Sequence, residues 1–415
     1  MDNAIPGFRP VPRTGVIYVM HEAMARGFRY EDPDWANLGQ GSPETGSSPG
    51  APPRVESITI GRRDRQYAPI QGNLELRRAV ADYYNRTYRA GHRSQYTEDN
   101  VSIASGGRLA LTRLAAALGP VNMGHFIPDY TAYEELLGVF RAFIPIPILV
   151  GPEDGYRIPP TELEKEILGR GLSALLASNP CNPTGQVVQG EELGAWCQLA
   201  RSNGCTLILD EFYSHYVYDD AGAGSPVSAA AFVEDVDRDP IILVDGLTKN
   251  WRYPGWRVSW TLGPRSVIEA VASAGSFLDG GANHPFQHAT LPLLDADYAR
   301  RESDAIRAHF ARKRARTLER VRALGIRVEA EPAGTFYIWA NLSELPPPLN
   351  DGMKFFRAGL EEKVITVPGI FFDVNPENRR AHARYENYCR ISFGPEAEVL
   401  ERGLDALARV IERAS

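Results

Sequence analysis

The chain has little of what secreted or metal-binding proteins usually contain. Its 415 residues include only four cysteines, Cys181, Cys197, Cys205 and Cys389, and none of them forms a CxxC pair. Their spacing matches no zinc module, and the histidines contain no HExxH motif, so we expect no metal site. The few cysteines and a first segment without a secretion-signal pattern predict a cytoplasmic protein.

Long apolar runs and an excess of positive charge are also lacking. The apolar stretch 143–150 is short and contains two prolines, so we expect no membrane span. The formal net charge is −7, which gives no broad cationic surface for nucleic acid or an anionic membrane. Hydrophobic residues make up 43% and charged residues 23%, which is typical of a globular protein.

Strand-like and helix-like segments alternate through much of the chain. The strand-like runs lie at 125–127, 172–177, 206–209 and 241–244, and helical patterns lie between them, for example at 133–141 and 191–201. This alternation predicts βα units and a mainly parallel sheet, and therefore an α/β protein. Ligands of such sheets bind beyond the carboxyl ends of the strands.

The two ends of the chain have different patterns. The first 55 residues combine a helical segment near 16–25 with a Gly-, Pro- and Ser-rich loop at 39–53. We expect this loop to be an arm or a mobile segment that covers another part of the protein. The last part predicts one long charged helix over 289–324, strands at 327–330 and 335–340, and a final amphipathic helix. We therefore predict an N-terminal arm and entrance loop (1–55) that packs with the small domain, a large domain (56–290) and a small α+β domain (291–415).

Lys249 directly follows the buried run 241–244 and the turn signal Asp245–Gly246. Desolvation at such a place disfavours the ammonium form, and a neutral lysine can form a Schiff base with an aldehyde. Arg257, further along the same segment, can supply a fixed charge for a phosphate. The alternative is an ordinary surface lysine after a strand.

Two further motifs follow strand-like runs, and a third lies at the start of a helix. Asp210-Glu-Phe-Tyr213 follows the run at 206–209, and the segment 178–185 reads SNPCNPTG. Ser105-Gly-Gly-Arg108 begins a helix, where glycines let backbone N–H groups approach an anion. A tight turn without a ligand is the alternative for this last motif.

Together these segments resemble the class I and II aminotransferases, the aspartate aminotransferase-like enzymes of fold type I that use pyridoxal 5'-phosphate. SNPCNPTG is nearly the full family signature NPxNPTG, and the matching motifs run in order from about residue 37 to 394. The resemblance implies a large cofactor-binding domain, with a mainly parallel mixed sheet flanked by helices, and a smaller α+β domain.

The resemblance also assigns roles around the cofactor. Lys249 would bind it covalently, and Asp210 would keep its pyridine nitrogen protonated. Tyr213 and Asn182 would hydrogen-bond its phenolic oxygen, and Tyr130, in PDYTAY, would stack on its ring. The residues that would hold its phosphate are Gly106, Gly107, Arg108 and Arg257.

Substrate and subunit contacts are implied by three other segments. Arg390, in the segment CRISFG, would clamp the substrate α-carboxylate in a bidentate pair, with Asn182 beside it. Gly41, in NLGQGSP, would leave room next to that carboxylate. Tyr67 matches a tyrosine that reaches the phosphate of the neighbouring subunit, which implies a homodimer with shared active sites.

The implied reaction moves the amino group of an α-amino acid to a keto acid, with Lys249 as the base, and we expect a role in specialised biosynthesis. The same fold also hosts elimination, replacement, cyclisation and oxidation of amino acids, so these outcomes stay open. A non-catalytic regulator is a remote alternative, because such proteins usually carry a fused DNA-binding domain.

Two segments depart from the family pattern. The family usually has serine or threonine three residues before the lysine, where this chain has Gly246. Thr248 faces elsewhere if the segment is extended, so one phosphate donor is missing or replaced. In the region 280–287, His284 is either an acid–base group or a packing residue. The basic cluster 62–65 is expected to be solvated surface.

Overall fold

The computed structural model describes residues 11, 13–140, 142–218, 225–376 and 379–414. The α-helices of this part are α1 (Gly15–Ala25), α2 (Leu74–Tyr88), α3 (Gly107–Ala117), α4 (Ala132–Val139), α5 (Pro160–Arg170), α6 (Gly190–Asn203), α7 (Leu247–Asn250), α8 (Arg265–Leu278), α9 (His284–Thr290), α10 (Ala296–Ala323), α11 (Gly352–Glu361) and α12 (Ala397–Glu412). The strands are β1 (Ala36–Asn37), β2 (Val101–Ala104), β3 (Asn122–Ile127), β4 (Ile144–Leu149), β5 (Ala174–Ser178), β6 (Thr206–Asp210), β7 (Ile241–Gly246), β8 (Ser259–Leu262), β9 (Tyr337–Asn341), β10 (Val364–Ile365), β11 (Val367–Pro368) and β12 (Tyr388–Ser392).

The central sheet contains seven strands in the order β2-β8-β7-β6-β5-β3-β4. β8 runs antiparallel to both of its neighbours, and the other pairs are parallel. The short apolar runs of β5, β6 and β7 are almost wholly buried, as expected for parallel strands covered on both faces by helices. β4 contains Pro145 and Pro147 and lies at the edge of the sheet, where proline costs fewer ladder hydrogen bonds. The predicted α/β class and mainly parallel sheet are confirmed.

The parallel strands end at the same edge of this sheet. β3, β5, β6 and β7 end at Ile127, Ser178, Asp210 and Gly246. The polar motifs found in the sequence continue directly from these residues. Strand direction alone therefore brings those segments together, although they are far apart in the chain.

Two smaller sheets are formed largely by the last part of the chain. β11, β12 and β9 form an antiparallel sheet in which Arg390 lies opposite Trp339. β1 pairs in parallel with β10, with Ala36 opposite Val364, so the N-terminal segment packs with the C-terminal part of the chain. The boundaries at 55/56 and 290/291 stay a prediction. No helix in the described ranges is long and apolar enough to cross a membrane.

The predicted helix over 289–324 is wrong as a single element. α9 ends first, a 3₁₀ turn containing Pro292 follows, and α10 then begins. Proline lacks the N–H that a continuous helix needs. The Asp295 side chain caps the new helix by accepting from the N–H groups of Asp297 (2.9 Å) and Tyr298 (3.2 Å).

Other predicted elements have different outcomes. The strand predicted at 327–330 is wrong, because only an isolated bridge joins Arg327 to Asn341 there. The predicted helix 133–141 is found as α4, and residue 141 lies outside the described residues. The remaining predicted strands and helices are found with shifts at their ends, where local signals are weakest.

A buried ion-pair group holds the entrance loop against the segment that follows Lys249. Glu302 of α10 is fully buried and accepts from Arg54 Nη1 (3.0 Å) and Arg252 Nε (2.8 Å). Arg252 Nη1 also donates to the carbonyl oxygen of Gly46 at 2.9 Å. The loop 39–53 is thereby fixed beside the carboxyl edge of the sheet.

Replacement of Glu302 by alanine should strongly destabilise the protein. The substitution leaves two largely buried guanidinium groups without their carboxylate, which costs about 3–5 kcal/mol in the free energy of unfolding. Equilibrium urea unfolding measures the change. The matched control is Glu319→Ala on the same helix, whose side chain is 70% exposed and pairs with Arg316. We expect that control to cost less than about 1 kcal/mol, and equal effects of the two substitutions would contradict a structural role for Glu302.

Candidate active site

A cavity of about 380 Å³ lies beyond the carboxyl ends of the parallel strands. Its volume lies within the range of small-molecule sites. The predicted site residues that line it are Gly41, Gly107, Arg108, Tyr130, Asn182, Asp210, Tyr213, Lys249, Arg257 and Arg390. The other two predicted site residues, Gly106 and Tyr67, do not line it. The fold therefore collects in one place residues from the first and last parts of the chain.

Lys249 stands in the first turn after β7 and points into this cavity. The side chain is half-buried, and Nζ donates to the carbonyl oxygen of Gly41. Burial lowers the pKa of Lys249 to about 7, and the positive charges of Arg390 and Arg257 act in the same direction. Near neutral pH a large fraction of this amine is therefore uncharged and nucleophilic.

Asp210, the last residue of β6, places a buried carboxyl group at the cavity. Oδ2 accepts from the Tyr133 hydroxyl at 3.0 Å, and Oδ1 accepts from the N–H of Phe212 at 3.4 Å. Burial raises the pKa of Asp210 to about 6, while the two hydrogen bonds oppose this rise. The group is therefore mainly ionised at neutral pH and can accept a hydrogen bond from a cationic ligand atom.

Arg390 of β12 and Asn182 of the loop after β5 form a pair that joins the three-stranded sheet to the central sheet's edge. Arg390 Nη1 donates to Asn182 Oδ1 at 2.8 Å, which leaves the Asn182 amide hydrogens for another acceptor. Arg390 Nη2 donates to the Gly39 carbonyl oxygen at 2.7 Å, and Nε is buried without a hydrogen-bond partner in the described part of the chain. Among the described residues no acidic side chain pairs with this buried guanidinium, so it is suited to an anionic ligand.

The opposite end of the cavity combines Arg257 with the first turn of α3. Gly106, which precedes α3, has φ +95°, and a Cβ atom there would collide with the Arg257 guanidinium. The glycine therefore gives Arg257 the room to approach the helix N-terminus. Together they form a cationic corner with free backbone N–H groups, which favours a phosphate.

Thr248 does not lie in an extended segment. α7 begins at Leu247, directly after Gly246, so Thr248 lies in a helical turn. Its side chain lines the cavity, and its buried hydroxyl has no hydrogen-bond partner within the described residues.

Two contributors to the site were missed by the sequence interpretation. The Tyr337 hydroxyl lies 2.7 Å from that of Tyr213, and the Tyr337 ring lies 4.1 Å from the Arg390 guanidinium carbon. Tyr337 belongs to β9 and carries no motif, so only the folded chain identifies it. Tyr337 therefore contacts both Tyr213, which was predicted to bind the cofactor, and Arg390, which was predicted to bind the substrate.

Asp129 is the second missed contributor. Its Oδ1 accepts from the Ser178 hydroxyl and, at 2.7 Å, from the Tyr130 N–H. Ser178 Oγ in turn accepts from the Asn182 N–H at 3.1 Å. Burial raises the pKa of Asp129 to about 8. Asp129 thus fixes the loops of two motifs at once, and its position inside PDYTAY was the available signal.

Tyr67 and His284 lie away from this cavity. The Tyr67 side chain is 97% exposed, so within its own chain it contacts no part of the site. His284 Nδ1 lies 2.9 Å from the Gln66 carbonyl oxygen, and His284 does not line the cavity. Neither residue therefore acts at the Lys249 site of the same chain.

The lowered pKa of Lys249 can be tested by competitive labelling with an amine-reactive reagent in the ligand-free protein. Only the neutral amine reacts. With a pKa of about 7, the labelling rate should rise about tenfold from pH 6 to pH 8 and then level off. Lys363 is the internal control, because its pairing with Asp34 raises its pKa and its rate should keep rising above pH 8. Parallel profiles for both lysines, read by mass spectrometry, would contradict the prediction.

Comparison with known proteins agrees with this geometry. The family model "Aminotransferase class I and II" matches residues 33–407. The aspartate/prephenate aminotransferase of Thermus thermophilus is 29% identical over 354 residues, which cover 84% of each chain. A probable N-succinyldiaminopimelate aminotransferase, DapC, of Mycobacterium tuberculosis is 28% identical over 389 residues, 91% of this chain and 92% of that protein.

A solved structure shows the same arrangement of the chain. Aspartate aminotransferase from Thermus thermophilus with maleate superposes with a TM-score of 0.78 at 26% identity, and covers 97% of this chain and all (100%) of that one. The family match spans far more than half of the sequence. The chain belongs to the aminotransferase class I and II family.

Proposed function

We propose that the Lys249 cavity binds pyridoxal 5'-phosphate and transfers the amino group of an α-amino acid to a keto acid. The observation that carries this proposal is the combination found in one cavity. An amine with a lowered pKa, a buried carboxylate and an unpaired buried guanidinium face the same space. Each answers one chemical demand of transamination.

The residues present fit the cofactor. Its phosphate needs cationic and N–H donors, which Arg257, the start of α3 and the unpartnered Thr248 hydroxyl would supply. Its pyridine nitrogen needs an anionic partner, and the Asp210 carboxylate would be that partner. Its aldehyde needs a neutral amine, and Lys249 would provide it. When bound, pyridoxal phosphate supplies an electron-accepting ring that stabilises the loss of the substrate's α-proton.

Lys249 would also move the proton during the reaction. With a pKa of about 7, its amine can accept a proton from the substrate α-carbon and return it to another carbon near neutral pH. The Gly41 carbonyl oxygen orients Nζ when the amine is free. Asp210 would hold a proton at the pyridine nitrogen, and Asn182 and Tyr213 would hydrogen-bond the phenolic oxygen.

Arg390 would hold the substrate α-carboxylate. Its free Nε and its buried position suit a bidentate pair with a carboxylate, with Gly41 and Asn182 beside it. Val16 and Ile17 of α1 line the same cavity and would contact the substrate side chain. Two relatives are named aspartate/prephenate aminotransferase and probable N-succinyldiaminopimelate aminotransferase, and on this similarity we propose a role in specialised biosynthesis.

The attachment and the reaction can be tested with one pair of variants. Reduction of the cofactor-loaded protein with borohydride should attach the cofactor to Lys249, and Lys249→Ala should lose both this attachment and turnover. Lys165→Ala, at a lysine whose side chain is 71% exposed, is the matched control and should keep both. An amino donor should yield one keto acid per site, and a second keto acid should then regain the amino group.

Either of two results would contradict the proposal. One is attachment of the cofactor to a residue other than Lys249. The other is release of ammonia in place of amino transfer, which would indicate elimination or oxidation.

We further propose a homodimer in which Tyr67 completes the site of the partner. This tyrosine is 97% exposed in the single chain, which is unusual for a large aromatic side chain. The phenol would reach the phosphate of the neighbouring subunit, as the family resemblance implies. Loss of one hydrogen bond to a charged group costs about 1.5–3 kcal/mol, or roughly 10- to 100-fold in cofactor affinity.

Mixed dimers test this arrangement. Tyr67→Ala and Lys249→Ala should each be impaired alone. A hybrid dimer holds one site with native Lys249 and native Tyr67, so random mixing should restore about a quarter of the wild-type activity. Activity of the mixture equal to the average of the two separate variants would contradict shared sites.

A further inference from the structure

Three potential metal ligands meet outside the Lys249 cavity. Asp64, His284 and His288 each place one ligand atom within 4.8 Å of the others. Among the described residues, this is the group of His, Cys, Asp or Glu side chains that lies close enough to share a metal ion. All three side chains are half-buried. Asp64 lies in a 3₁₀ turn before Tyr67, and both histidines belong to α9.

The two histidines are arranged as a metal-binding pair. They are spaced i, i+4 on one helix, and their ring centroids are 4.9 Å apart. His284 Nδ1 lies 2.9 Å from the Gln66 carbonyl oxygen. Because a carbonyl oxygen only accepts, this contact holds a proton at Nδ1 and leaves Nε2 as the ring atom that can bind a metal. A backbone carbonyl behind the second ring nitrogen is the usual support of a metal-ligating histidine.

Asp64 supplies an oriented oxygen ligand. Its Oδ2 accepts from the Gly61 N–H at 2.7 Å, and its Oδ1 contacts His288 Nδ1. A divalent ion bound by both side chains would displace the proton of this hydrogen bond, and the proton would leave to solvent. Zn²⁺ bonds of about 2.0–2.2 Å require ligand atoms roughly 3.3 Å apart in a tetrahedron, so modest movements of half-buried side chains suffice. Glu75 Oε2, 3.8 Å from His288 Nε2, adds negative charge beside the site.

We propose that Asp64, His284 and His288 form a binding site for a divalent transition-metal ion of the zinc class. Two imidazole nitrogens and one carboxylate oxygen are a donor set that Zn²⁺ accepts, with water in the fourth position. We expected no metal from the sequence because HExxH is lacking. The histidine pair has the same spacing without the glutamate, and Asp64 lies 224 residues from His288 in the chain.

The ion would join the turn 63–65 to α9 and so fix the backbone that leads to Tyr67. This consequence rests on the proposed homodimer, in which Tyr67 reaches the partner's phosphate. Metal binding itself does not rest on it. The two proposals can therefore fail separately.

Calorimetric titration of the purified holoenzyme with ZnCl₂ tests the site. Excess cofactor and any affinity tag are removed first, because both bind zinc. We expect one ion per chain. His284→Ala and His288→Ala should each raise the dissociation constant for Zn²⁺ by at least about tenfold. His92→Ala, at an exposed histidine outside the cluster, is the matched control and should leave it unchanged.

A spectroscopic readout and a conservative variant complete the experiment. Co²⁺ in the same site should give the visible absorption of a tetrahedral ion, and the histidine variants should lose it. If a histidine variant does not fold, Asp64→Asn keeps the side-chain shape and should also weaken binding. The absence of stoichiometric binding, or equal affinity in the wild-type protein and the folded variants, would overturn the proposal. Covalent cofactor attachment to Lys249 is measured in parallel, so a failure of the proposed function is seen separately.

Discussion

The parallel register of β5, β6 and β7 is the constraint on which the rest of the structure depends. Ser178 lies opposite Asp210, and Asp210 lies opposite Val244, so the three strands end together and their following loops meet. Because side chains alternate between the two faces of a strand, a slip by one residue would turn Asp210 to the other face of the sheet. The apolar residues of these strands are buried on both faces, which makes such a slip costly.

Cationic groups without carboxylate partners give this cavity its chemical character. Arg390 is buried and hydrogen-bonds only to uncharged oxygens in the described part of the chain, and Lys249 faces a carbonyl oxygen. Isolated charges of this kind are unfavourable in the free protein, because burial removes their hydration. An anionic ligand would pair with the buried Arg390 guanidinium and would so offset this cost. The buried Glu302 group shows the opposite arrangement, in which both guanidinium groups are neutralised by a carboxylate.

Residues that belong to local sequence motifs were predicted, whereas residues whose role depends on contacts with distant parts of the chain were not. Asn182 and Asp210 were predicted because each stands in a short motif that resembles the family's and that follows an apolar run. The role of Thr248 stayed open in the sequence, because its direction depends on where the helix begins after Gly246. The long charged helix was predicted without its break, which the structure places at the 3₁₀ turn that contains Pro292. Tyr337 could not be found, since its role comes from contacts with distant residues.

The sequence by itself determined the α/β class through its local apolar runs, and its motifs, through their resemblance to the family, gave half of the residues that line the cavity. Only the tertiary structure decided which additional groups support those residues. Asp129 serves the site through Ser178, which lies 49 residues further along the chain. Likewise, Asp64 meets the two histidines of α9 only after the chain has folded. Such contacts depend on how helices and loops pack around the sheet, and packing between distant segments leaves no periodic signal in the sequence.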